Sequence, residues 1–427
     1  MTSDSPPPEA KRRSLRNLVK LNRSPRVGRL AIVSHFNRKV DELAEASSFP
    51  RLAAFLPNRL WPWIWNYLKY ALTPRVSFPS YSGTGLSGVY RISGSTPGAP
   101  IKIAIAGDWG TGTDEAYTIA NLMCPPDKRL IPDFTIHLGD VYYVGDKAEI
   151  EEKCLGESTR AYSGVKWPHG SQGSFSLNGN HEMYANGKPY FTVFLPTLGL
   201  SSVRRGQVAS YFSLETDNWR ILAVDTAYNS IGLPILSQVP GLNRIPAIGG
   251  DCRLEKTLIK WLREEVKPME NLKATLLLSH HQYFTAFSDL SYSKPARQLR
   301  EFFPTQEVVW IWGHEHRMAI YDKYKTDGGI TAYGRCLGHG GMPVEMGQPV
   351  RRKVPLLYYD ERTHYLAGTK VGVNGFVNIL LDDSILRLDY RDISNKSLLV
   401  EEFTHIGKGC LSHRFIEVDQ HGLTLWS

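Results

Sequence analysis

The sequence predicts an α/β domain, and three observations predict it. A strand, a helix and a second strand follow one another within residues 101–138. Further short apolar runs between residues 174 and 312 each give way to glycine or a polar residue. The chain of 427 residues is 42% hydrophobic and 22% charged, the balance of a folded globular protein and not of a disordered, collagenous or coiled-coil one. Its length allows two or three domains, but single α/β domains reach about 250 residues, so one large domain with extensions is expected.

The first element is a helical N-terminal extension over residues 1–80. It holds 14 Lys plus Arg against 5 Asp plus Glu, whereas residues 81–427 hold 36 against 37, so the basic character of the chain (net +8) belongs to the extension. Residues 11–20 repeat apolar side chains at Leu15, Leu18 and Val19; Ser24-Pro25 interrupts; and residues 27–46 resume the helical period through Leu30, Phe36, Val40 and Leu43. Trp61, Trp63 and Trp65 then stand between Arg59 and Lys69. Such a mixture docks on the main domain, or sets aromatic bodies and cationic tips against an anionic membrane surface or a partner; nucleic acid is the least favoured of the three. The first eight residues lack the apolar core of a signal peptide, and no run reaches the roughly 18 apolar residues of a membrane span. The expectation is a cytoplasmic chain, at most peripheral at a membrane. Five scattered cysteines without a CxxC read as reduced thiols, neither a disulfide framework nor a zinc ribbon.

Residues 81–100, rich in Gly, Ser, Pro and Thr, read as a connector with one strand at 88–92. The main domain is expected over 101–392 and a tail over 393–427. A strand at 101–106 ends on Gly107-Asp108-Trp109-Gly110, a helix covers 114–123, and a strand at 134–138 ends on Gly139-Asp140. This is a βαβ unit, so the sheet is parallel there. Residues 174–177 lead into Asn178-Gly179-Asn180-His181-Glu182; 211–215 and 219–224 form a hairpin; 254–266 is helical. Strands at 274–279 and 308–312 end on His280-His281 and Gly313-His314-Glu315-His316, and residues 375–382 with 384–392 close the domain as a hairpin. No internal repeat is visible.

Asp108, Asp140, Asn180, His280, His314 and His316 thus each follow a strand, where ligand sites of open α/β sheets lie. One such aspartate is more often a turn former, but five strand ends that all deliver metal-ligating side chains are not explained as turns. Carboxylate, amide and imidazole together suit borderline di- or trivalent transition metals better than calcium or magnesium. They are too many for one tetrahedral zinc and about right for two metals sharing a carboxylate.

With these blocks in this order the chain resembles the calcineurin-like metallophosphoesterases, and among them the purple acid phosphatase type. The blocks are Asp108-Trp109-Gly110, Gly139-Asp140-Val141-Tyr142-Tyr143, Gly179-Asn180-His181-Glu182, Leu277-Leu278-Ser279-His280 and Gly313-His314-Glu315-His316. The resemblance covers about residues 100–392 and implies a β-sandwich of mixed sheets flanked by helices. It further implies that Asp108, Asp140, Tyr143 and His316 hold one metal and Asp140, Asn180, His280 and His314 the other, with Asp140 bridging. Glycine where most of the family has histidine in the first block, with a tyrosine three residues after the second Asp, favours Fe³⁺ paired with Fe²⁺, Zn²⁺ or Mn²⁺. His281 is the competitor for the place of His280, or lies just behind the metals.

The implied function is hydrolysis of phosphate mono- or diesters by a metal-activated hydroxide at a dinuclear site, with His181 as proton donor to the leaving group. The alternative is a non-catalytic scaffold that binds a membrane or partner through the N-terminal extension. Substrate choice falls to loops 144–172, 227–253 and 340–370. Other polar residues receive plainer readings: His137 as a core histidine, Asp225 as a structural hydrogen-bonder, His339 as packing or solvent-facing, and Arg204-Arg205 as an exposed loop. His35, His364, His405, His413 and His421 read as surface or packing residues. Glu182 and Glu315 either orient imidazoles or face solvent.

Overall fold

A computed structural model of the chain describes residues 70, 73–94, 98–159, 163–203, 205–231, 250–288, 291–366 and 369–426. The helices expected within residues 1–46, the tryptophan cluster, Arg204 and most of loop 227–253 lie outside these residues. In chain order the strands are β1 (Val89–Arg91), β2 (Ile101–Ala106), β3 (Phe134–His137), β4 (Gly173–Ser176), β5 (Gly199–Leu200), β6 (Phe212–Glu215), β7 (Trp219–Ala223), β8 (Ala274–Ser279) and β9 (Glu307–Trp312). They continue with β10 (Met318–Tyr324), β11 (Thr331–Leu337), β12 (Leu356–Tyr359), β13 (Thr363–Leu366), β14 (Thr369–Gly372), β15 (Gly375–Asp382), β16 (Ile385–Asp392), β17 (Ser397–His405), β18 (Leu411–Val418) and β19 (Thr424–Leu425). The helices that matter below are α1 (Asp114–Met123), α2 (Lys147–Lys153), α3 (Asn180–Met183) and α4 (Lys256–Trp261).

These strands form a nine-stranded sheet, in the order β1-β6-β7-β8-β9-β11-β10-β12-β19, and an eight-stranded sheet, in the order β18-β17-β16-β15-β2-β3-β4-β5; β13 and β14 pair apart. Both large sheets are mixed. β2, β3 and β4 run parallel, as do β7, β8 and β9, while hairpins such as β6–β7 and β15–β16 are antiparallel. The inner faces meet in one apolar core that joins Ile103, Ile105 and Ile136 to Leu214, Leu276 and Ile311.

Strand β2 shows why helices cover the outer faces. Its residues alternate large and small, so Ile103 and Ile105 point into the sandwich while Ala104 and Ala106 leave room for α1 on the other side. Helix α1 starts where the Thr113 hydroxyl accepts a hydrogen bond from the Ala116 N–H, carries Asp114 and Glu115 in its first turn, and buries Ala116, Ile119, Ala120 and Met123 at helical spacing. Across the molecule, Leu258 and Trp261 of α4 cover Leu222, Leu277 and Trp310 of the nine-stranded sheet.

Two expected boundaries move. The connector at 81–100 contributes β1, which pairs parallel to β6, and Tyr81, which is buried against Tyr211. The expected tail at 393–427 supplies β17, β18 and β19, each paired into a sheet, so the fold does not end at residue 392. The physical reason lies in Glu401, a charge inside what would otherwise read as an alternating strand. Its carboxylate is fully buried and accepts hydrogen bonds from Arg335 Nε at 2.6 Å, Tyr390 Oη at 2.5 Å and, at 2.7 Å, His413 Nε2.

Candidate metal centre

The ends of β2, β3 and β4 from one sheet and of β8 and β9 from the other meet in one cluster. Asp108, Asp140 and Asn180 come from the eight-stranded sheet, and His280, His314 and His316 from the nine-stranded one. The structure therefore brings these six expected residues together. Asp140 faces both ways: Oδ2 lies 2.9 Å from the Tyr142 hydroxyl, and Oδ1 lies 3.3 Å from His280 Nε2. Asp108 Oδ1 is 2.7 Å from the same hydroxyl and 3.5 Å from His316 Nε2, while Oδ2 accepts the His314 backbone N–H at 2.7 Å. His280 donates from Nδ1 to the Leu138 carbonyl at 2.9 Å, which turns Nε2 toward Asn180 Oδ1 at 3.0 Å.

The backbone is bent to make this possible. Asp108, Asp140 and His314 all take left-handed conformations, with φ of 55°, 75° and 67°. Each such non-glycine position costs about 1–3 kcal/mol, a cost that clusters at functional sites. Gly179 leaves no room for a side chain, because a Cβ there would overlap the Asp140 carboxylate and backbone nitrogen. Glu182 ties the same two loops together: its Oε2 accepts the Gly179 N–H at 2.9 Å and the Asp140 N–H at 3.3 Å. It is buried and holds backbone groups, so neither an imidazole nor solvent is its partner. Burial and the nearby Asp140 charge push its carboxyl up to about 8.

Tyr143 was expected as the aromatic ligand, but the hydroxyl that lies among the cluster residues is that of its neighbour, Tyr142. The Tyr142 hydroxyl contacts Asp108, Asp140 and, at 2.9 Å, His316 Nε2. Tyr143 stands aside, its ring 5.5 Å from Lys153 Nζ, its N–H given to Glu149 Oε1 and its carbonyl 2.7 Å from His181 Nδ1. The reason is the Glu149 carboxylate of α2, which also accepts the N–H groups of Val144 at 2.8 Å and Gly145 at 3.0 Å and so fixes how the loop presents its two tyrosines.

His181 lies at the rim. Its side chain keeps 19% of its surface exposed, against 0% for His280, and Nε2 is 3.8 Å from Asp140 Oδ2. His281 is held by Thr226, with Nδ1 3.1 Å from Oγ1, yet its ring is 4.4 Å from that of His314. His280, His281 and His314 each offer a nitrogen within 4.8 Å of the others, and Asp108, Asp140 and His280 make a second such group. His137 is a core histidine packed edge-on against Trp167, and Asp225 bonds Ser210, Asn178 and the N–H groups of Ala227 and Tyr228. His339 is buried and Arg205 is bonded to the Thr84 carbonyl. Among residues the sequence did not single out, Tyr142, Glu149, Thr226 and Glu345, 3.6 Å from His316 Nδ1, shape the centre; of these only Thr226, three residues past β7, follows a strand as the six do.

The electrostatics call for a cation. Burial alone would lower the His280 pKa, but the Asp140 carboxylate outweighs it and brings the imidazole up to about 9; Asp108 likewise holds His316 above its ordinary value. His314, buried beside these imidazoles, is pushed down to about 3 and is neutral. Two buried carboxylates, an amide oxygen and imidazoles whose nitrogens face them are a donor set that metal ions fit once the imidazole protons are displaced. Among the described residues, no helix is long and apolar enough to cross a membrane.

The sequence matches the calcineurin-like phosphoesterase family over residues 101–318. No curated protein matches the chain. Among solved structures it is similar to GAP50, the anchor in the inner membrane complex of Plasmodium, at 11% identity over 75% of this chain and 90% of that one, with a TM-score of 0.43. It is also similar to PhoD, at 13% identity over 76% and 73% with a TM-score of 0.45, and to Vacuolar Protein Sorting 29 from Cryptosporidium parvum, at 11% over 72% and 99% with a TM-score of 0.28.

Proposed function

The chain belongs to the calcineurin-like phosphoesterase family, and from that membership we propose that it hydrolyses phosphate mono- or diesters with two metal ions that share Asp140. The observation that carries the reading is the division of the Asp140 carboxylate, one oxygen toward the Tyr142 hydroxyl that also meets Asp108 and His316, the other toward His280, whose Nε2 also meets Asn180. His314 completes the second group. The mixed carboxylate, aromatic and imidazole set supports Fe³⁺ with Fe²⁺, Zn²⁺ or Mn²⁺, as in the purple acid phosphatase type. Such ions, when bound, polarise water and phosphate oxygens and offset the charge that builds during displacement at phosphorus.

The protein's own part is positioning and proton transfer. Leu138 fixes the His280 tautomer and so aims Nε2 inward. His181, its Nδ1 set by the Tyr143 carbonyl, presents Nε2 at the open side of the cluster. Protonated there, it donates to the departing ester oxygen. The test is hydrolysis of p-nitrophenyl phosphate and its bis ester by protein purified without chelator. Activity is expected to vanish on chelation, to return with added metal, and to fall at least about 100-fold in kcat/KM for Asp140→Asn. Hydrolysis that survives both treatments overturns the proposal.

A further inference from the structure

We infer that Tyr142, not Tyr143, is the residue whose side-chain oxygen binds the metal shared by Asp108, Asp140 and His316, an inference that rests on the two-metal reading above. The spacing that favours Tyr143 is a matter of counting along the chain, whereas binding is a matter of where the oxygen lies. The Tyr142 oxygen is 2.7 Å from Asp108 Oδ1, 2.9 Å from Asp140 Oδ2 and 2.9 Å from His316 Nε2. A phenol has one hydrogen, and carboxylate oxygens only accept. That hydrogen cannot satisfy two carboxylates at once, so the arrangement sets oxygen lone pairs against one another. A metal ion among the four atoms replaces this repulsion with attraction, and two oxygens, a nitrogen and a phenol oxygen are a suitable shell for a hard trivalent ion.

The loop does not let the two tyrosines exchange freely. Glu149 holds three consecutive backbone N–H groups, of Tyr143, Val144 and Gly145, and Lys153 Nζ donates to the Tyr142 carbonyl. Turning Tyr143 inward would give up these charge-assisted bonds in a buried place, where no water replaces them. Tyr142 is itself 1% exposed, so its hydroxyl has no water to fall back on.

The experiment compares the wild-type chain with Tyr142→Phe and Tyr143→Phe, each stripped of metal and then reloaded with Fe³⁺ and Zn²⁺. Metal per chain, metal affinity and visible absorption are read out, and circular dichroism confirms the fold. Tyr142→Phe is expected to lose the broad tyrosinate-to-iron band and to bind one of its two metals at least tenfold more weakly. Tyr143→Phe is expected to keep both the band and the affinity. Loss of the band in Tyr143→Phe with its retention in Tyr142→Phe overturns the assignment while leaving the two-metal reading intact. Unchanged zinc affinity in Tyr142→Phe also overturns it, even if iron gives no band. A wild-type chain that takes up no metal removes the two-metal reading itself, and the assignment with it.

Discussion

At Gly179 a single methyl group would collide with Asp140, the residue proposed to be shared by the two metal ions. Gly179→Ala is therefore expected to leave the sandwich folded, at a cost of about 1–3 kcal/mol, while reducing bound metal from two ions to one or none. Metal analysis beside a thermal melt checks this; a variant with full metal content means that Asp140 has room to retreat. Residues of this kind show how far the sequence could be read. Asp108, Asp140, Asn180, His280, His314 and His316 were legible because each follows an apolar run, and the sandwich brings all the strand ends to one place. That the Tyr142 hydroxyl, and not that of Tyr143, lies among Asp108, Asp140 and His316 was not, because the loop is held by Glu149, a carboxylate whose bonds to backbone N–H groups leave no trace in spacing. The left-handed turns at Asp108, Asp140 and His314 were equally hidden, since none of the three is glycine.

Among the elements, β17 carries the instructive case. Glu401 is buried with Arg335 of β11 in the other sheet, whose Nε and Nη2 donate to its two oxygens at 2.6 and 2.5 Å. Burial would raise this carboxyl, but the Arg335 charge and the His413 hydrogen bond outweigh burial and bring it from 4.5 to about 2. A carboxylate depressed on folding contributes stability that is present above its unfolded value and lost as pH falls toward its folded one. The contribution, on the order of 3 kcal/mol, is thus expected to disappear between about pH 4.5 and pH 2. Arg335→Leu, which strands the carboxylate, is expected to cost about 3–5 kcal/mol at pH 7. Denaturant melts across that range test both statements, and a flat profile for the wild type would reject them. The same pair explains why residues 393–427 read as a tail: a glutamate in a strand signals a solvent face unless its partner, 66 residues away, is known. By contrast β2, α1 and β3 were legible almost to the residue, because their alternation, capping and turns are all local.

For the whole molecule, the two mixed sheets share one core, but they also share the cluster at one end. Half of its six strand-end side chains are rooted in each sheet. Ions bound there, as proposed, would act as a clasp across the seam, and the consequence is thermodynamic linkage: whatever held the clasp shut would also hold the sandwich shut. For each ion bound by the folded chain alone, stability rises by about 1.4 kcal/mol for every tenfold increase in free metal above its dissociation constant. Two ions give twice that slope. Unfolding free energy followed against buffered free zinc should therefore count the ions with no substrate in the cuvette, and a slope of zero would mean that the two sheets are fastened by their core alone.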